Sequence, residues 1–230
     1  MTKTALQTGL PRWRTCISPG IVLPVLAVVA SIVLQCWPEA QAVLQYDRTQ
    51  ITLGQHWRLM TGHLVHWGWR HLAGDISALI LLCWAIGPRG GWKVILTALG
   101  GAVAILLAIM IFDPSTVIYR GMSGVNYGLL AWAVLARLAA SPRRVAACYA
   151  ALLAALAVKV LLDLTPHKLL TGVGLPEGIA LTGLAHVAGF YTAVVIWMLH
   201  RLPTSIMFRH RLRGPEDGGS LDNRNTGRLT

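Results

Sequence analysis

"YRGMSGVNYGLLAWAVLARLAA", residues 119–140, sets a serine between two glycines at the mouth of an apolar run. From Met122 onward the stretch approaches the ~20 helical residues needed to cross a hydrocarbon core of roughly 30 Å. Ser123 therefore falls where the first backbone N–H groups of a helix have no intrahelical acceptor. Working outward, five further apolar runs of similar length appear, at about 19–37, 71–87, 92–112, 144–163 and 181–200. The fold class expected is an all-α membrane protein built as a bundle of six transmembrane helices.

Composition agrees. The 230 residues are 55% hydrophobic and only 13% charged, with a mean hydropathy of +0.58, outside the usual range for a soluble domain. A formal charge of +11 raises the question of nucleic acid. The basic residues, however, sit in short clusters between the apolar runs: Arg89 and Lys93, Arg143 and Arg144, then Arg201, Arg209, Arg211 and Arg213. That pattern controls topology and does not build a phosphate-binding face, so no nucleic-acid partner is expected. With a basic N-terminus carrying Lys3, Arg12 and Arg14, it puts both chain ends in the cytoplasm. The first outside loop runs against the rule with Arg48, Arg58 and Arg70, partly balanced by Glu39 and Asp47. Cys16, Cys36, Cys83 and Cys148 lack metal-ligand spacing, and neither a zinc site, another cofactor nor a disulfide framework is expected.

The chain divides into a cytoplasmic segment 1–18, a six-helix core 19–201 and a flexible basic tail 202–230, whose apolar content is too low to fold alone. The first apolar run has no small-residue cleavage site after it and reads as a retained helix. Between residues 37 and 70, "AVLQY" and "HWRLM" have amphipathic spacing, so this loop is expected at the membrane interface, with Trp57, Arg58, Trp67 and Trp69 as surface anchors.

Polar groups inside a bilayer are costly, which makes the few present in the spans candidates for function. Small polar residues such as Ser123 also serve ordinary helix contacts. A serine becomes a nucleophile only with a base in hydrogen-bond reach. His186 is the partner of choice, flanked by Gly183 and Gly189 in the sixth span and set, like Ser123, in the outer part of the membrane. Tyr127 lies one turn beyond Ser123 on the same face and can support the histidine. His71 and Asp75, four residues apart at the outer end of the second span, face the same space, as does His66. Asn126 points elsewhere on its helix.

With these residues assembled, the sequence resembles the rhomboid family of intramembrane serine proteases. The resemblance covers about residues 19–201. It rests on Trp57-Arg58, "HWGWRHLAGD" entering the second span, Gly121-Met122-Ser123-Gly124 with Tyr127, and Ala185-His186 with Gly189. "WRLMTGHLVHWGWRHL" and "YRGMSGV" look most like the rhombosortase branch, which processes bacterial proteins carrying Gly-Gly-type C-terminal sorting tails. The resemblance implies a multi-pass protein of the bacterial inner membrane, acting on transmembrane protein substrates among membrane lipids. It implies that Ser123 attacks the peptide carbonyl, that His186 moves the proton, and that His71 with the Ser123 amide holds the oxyanion.

The chain departs from the family at Asp75, where an asparagine is usual. An ionised carboxylate cannot donate a hydrogen bond and opposes negative charge nearby. Three outcomes stay open: a protonated Asp75 that donates, an Asp75 that turns away and orients a histidine, or an impaired enzyme. Ala193, where the family often has glycine, still supplies a small residue. Pro and Gly around residues 166–178 suit a moving gate. The competing readings are a rhomboid-like protein that binds transmembrane clients without cutting them, and a small transporter.

Overall fold

The computed structural model describes residues 19–87, 90–165 and 183–201. In chain order it forms α1 (Pro19–Gln35), α2 (Pro38–Leu44), β1 (Tyr46–Asp47), α3 (Arg48–Thr52), α4 (Arg58–Thr61), α5 (Trp69–Ile86), α6 (Gly91–Phe112), β2 (Ile118–Tyr119), α7 (Ser123–Ala140), α8 (Arg143–Leu162) and α9 (Gly183–Arg201). The six longer helices start and end within about two residues of the apolar runs. The N-terminal segment, Arg89, the proposed gate 166–178 and the tail lie outside the described residues.

Among the described residues, α5, α6, α8 and α9 are long and apolar enough to cross a membrane. Of the six expected crossings, α1 falls short in length and α7 in apolar character. The reason for α7 is its position. It packs against α5, α6, α8 and α9 and buries Gly124, Asn126, Gly128, Leu129, Ala131 and Trp132. A helix wrapped by protein has no lipid-facing stripe to fill and tolerates polar side chains. The outer helices do the reverse, leaving Leu81, Trp84, Ile111, Phe112 and Leu199 exposed. That is the surface a hydrocarbon solvent favours.

Glycine sets the closeness of α7 and α9. A β-carbon on Gly124 would lie 2.6 Å from the Ala185 carbonyl oxygen, and one on Gly128 would lie 2.8 Å from that of Gly189. A β-carbon on Gly189 would overlap the Gly124 carbonyl. The two backbones touch, as small residues allow in membrane bundles.

In the segment between α1 and α5, Arg58 differs from the surface anchor expected of it. Arg58 is buried and does not anchor a surface. Its guanidinium donates to Gln55 Oε1 at 2.8 Å and to the Ala42 and Gln45 carbonyls, both at 2.9 Å. Arg48 donates to the Ile109, Met110 and Asp113 carbonyls, each at 2.8 Å. Both arginines thus cap helix C-termini, α2 and α6, whose last carbonyls lack intrahelical donors. Two of the three arginines that break the basic-loop rule are accounted for by this capping. Trp57 and Trp69 remain exposed. A short antiparallel pairing, Tyr46 with Tyr119 and Asp47 with Ile118, ties this segment to the turn ahead of α7.

Candidate active site

The turn that delivers Ser123 is held from several sides. Gly121 has φ +117°, a left-handed conformation, and a β-carbon there would lie 2.7 Å from His71 Cε1, so both backbone and space require glycine. The Gly121 N–H donates to the Gly62 carbonyl at 3.3 Å. Next in sequence, His63 is buried, with Nδ1 3.2 Å from the Gly121 oxygen and Nε2 3.0 Å from that of Ala102. Burial pushes this imidazole below its ordinary range although both carbonyls favour the charged form.

Asp75 converges on the same turn. Its Oδ2 accepts the Met122 N–H at 3.0 Å and lies 3.1 Å from His66 Nε2. A backbone N–H can only donate, so this oxygen is an acceptor. These contacts set the Asp75 carboxyl group between the Met122 amide and the His66 ring. Its backbone carbonyl accepts from Asn126 Nδ2 at 3.0 Å, which is where Asn126 points. His71 Nε2 is 3.5 Å from Asp75 Oδ2, and neither of the buried ring nitrogens of this half-buried histidine has a hydrogen-bond partner. Buried polar atoms are seldom left so.

Across the α7–α9 contact, Ser123 Oγ lies 3.0 Å from His186 Nε2. His186 is buried, and the Tyr127 ring packs against it with centroids 4.4 Å apart. The Gly124 and Gly189 contacts described above set this distance. The structure therefore brings Ser123, Tyr127 and His186 together, with His71, Asp75 and His66 grouped around Gly121.

Three residues join the cluster that the sequence reading passed over. One is His63. The second is Asp163, just past the end of α8, whose Oδ2 is 2.7 Å from His186 Nδ1. The third is Lys159, one turn earlier, which donates to the same oxygen and places its ammonium 4.4 Å from the Tyr127 ring centroid. One carboxylate oxygen of Asp163 thus meets both the His186 ring and the Lys159 ammonium. The available signal was an acid four residues after a base at the end of an apolar run, where ionisable groups are costly. Among the described residues, no set of three His, Cys, Asp or Glu side chains is arranged to hold a metal ion.

This geometry lies within a recognisable domain. The Rhomboid domain matches residues 53–202, more than half of the chain. The chain belongs to the rhomboid family. Compared with curated proteins, it finds no significant match. Rhomboid proteins are intramembrane serine proteases that act on transmembrane substrates within the membrane. The rhomboid match contains every side chain of the cluster, from His63 to His186, and begins just after α3.

Proposed function

We propose that this rhomboid is an active intramembrane serine endopeptidase in which Ser123 and His186 carry out peptide hydrolysis. The observation that carries this reading is the 3.0 Å separation of Ser123 Oγ and His186 Nε2, within reach for direct proton transfer. As Oγ attacks the scissile carbonyl, its proton passes to Nε2. The carbonyl π electrons move to oxygen. When the C–N bond breaks, Nε2 returns that proton to the leaving amine, and water repeats the sequence on the acyl-enzyme.

The developing oxyanion needs donors. Those at hand are the first-turn amides of α7, which lack intrahelical acceptors, and His71, whose ring nitrogens are unpartnered. Asp75 Oδ2 is occupied as an acceptor and is not among them.

Six crossings with both ends in the cytoplasm would put the site in the outer part of a bacterial inner membrane. A substrate must unwind there, because intrahelical hydrogen bonds hide its peptide groups. Segments with weak helix formers such as glycine near the cut are favoured, which suits the Gly-Gly-type tails of the rhombosortase branch. A second reading, a rhomboid that binds transmembrane clients without cutting them, draws on the Asp75 carboxyl group beside Gly121.

The test uses a fluorophosphonate probe on detergent-purified full chain, with the adduct mapped by peptide mass spectrometry. The protease reading expects modification of Ser123 in the wild type and at least a hundredfold slower labelling in His186→Ala. Labelling that ignores Ser123, or is indifferent to His186, would contradict it.

A further inference from the structure

We infer that Asp163 is a positioning residue for His186, so that the site works as a Ser123–His186–Asp163 triad and not as a dyad. The inference rests on the protease reading and deepens it. The 2.7 Å approach of Asp163 Oδ2 to His186 Nδ1 is an interaction in which a ring N–H donates and a carboxylate accepts. With the proton on Nδ1, Nε2 carries the lone pair that faces Ser123 Oγ. A neutral imidazole bears one N–H, so the bond to Asp163 selects the tautomer able to act as base. During attack Nε2 gains the serine proton, and the carboxylate stabilises the resulting imidazolium without taking a proton itself.

The surroundings fit this role. Both side chains are 4% exposed, so solvent screens their interaction little. Lys159 donates to Asp163 Oδ2 and also packs on Tyr127, which in turn packs on His186. The ring is therefore fixed at Nδ1, at Nε2 and on one face. The approach of α9 to the end of α8 is set by Gly183, where a β-carbon would overlap the Asp163 carbonyl. A carboxylate serving only as partner to Lys159 has no need of that closeness.

Two measurements test it. In the unaltered protein labelled with ¹⁵N-histidine, His186 assigned by comparison with His186→Gln, the neutral ring should carry its proton on Nδ1. A ring protonated on Nε2 would overturn the inference whether or not any substrate is cut.

In a cleavage assay with a single-span reporter bearing a glycine-rich junction, Asp163→Asn should lower kcat by roughly 10²–10⁴-fold with KM within about threefold. Asp163→Glu should recover part of the loss. Lys159→Met, which leaves the carboxylate on His186, should lower kcat clearly less than Asp163→Asn does. Asp163→Asn with unchanged kcat, or Lys159→Met as impaired as Asp163→Asn, would assign Asp163 to the lysine pair alone. Ser123→Ala run alongside separates this from failure of the protease reading, because activity that survives it removes the reading itself.

Discussion

Asp75 is where a single side chain most alters the chemistry expected of the site. Its Oδ2 accepts the Met122 amide and meets His66, so the carboxyl group anchors the turn before Ser123 and, when ionised, sets a negative charge near the forming oxyanion. Asparagine keeps an acceptor for Met122 and removes that charge. Asp75→Asn should leave cleavage between unchanged and roughly tenfold faster, measured as kcat/KM on the reporter. Complete loss would show that the carboxylate has a further role. Ser123, Tyr127, His186, His71 and Asp75 were legible in the sequence because polar groups stand out in apolar runs. Asp163 was not, since it sits at a helix end, where an acid is ordinary, and is paired with a residue 23 positions away. His63 was hidden similarly, its partners being two backbone carbonyls.

At the level of elements, the distance between Ser123 and His186 is a property of the α7–α9 contact. A β-carbon on Gly124 would lie 2.6 Å from the Ala185 carbonyl and 2.8 Å from Ile105 Cδ1, so α9 must shift next to His186. A displacement near 1 Å can cost about a hundredfold in rate. Gly124→Ala should therefore lower kcat by about that factor and reduce the unfolding temperature in detergent. Gly74→Ala, where nothing lies within 4 Å, should change neither. Equal behaviour of the two variants would disconnect the helix contact from the chemistry. Helix positions were readable because apolar length is local. The roles of Arg48 and Arg58 were not, because the carbonyls that Arg48 caps lie more than sixty residues away, and an arginine near tryptophans reads as an interfacial anchor.

On the scale of the whole molecule, the apolar runs foretold a helical membrane protein, and polarity marked which helix is central. α7 is less apolar than α5, α6, α8 and α9 for the same reason that it can hold the site: those four helices pack around it. Basic clusters and span counting speak to orientation but not to how the helices pack, which is why the neighbours of His186 had to come from structure. Everything proposed for the site depends on the hydroxyl and imidazole that meet between α7 and α9 cutting peptide bonds inside a bilayer. The most direct measurement is cleavage of the single-span, glycine-rich reporter by full chain reconstituted in proteoliposomes, for wild type, Ser123→Ala and His186→Ala. A defined cut by the wild type is expected, and none above background by either variant. Wild-type cleavage that persists in either variant, or no cleavage by wild type that labels with the probe on Ser123, would contradict it.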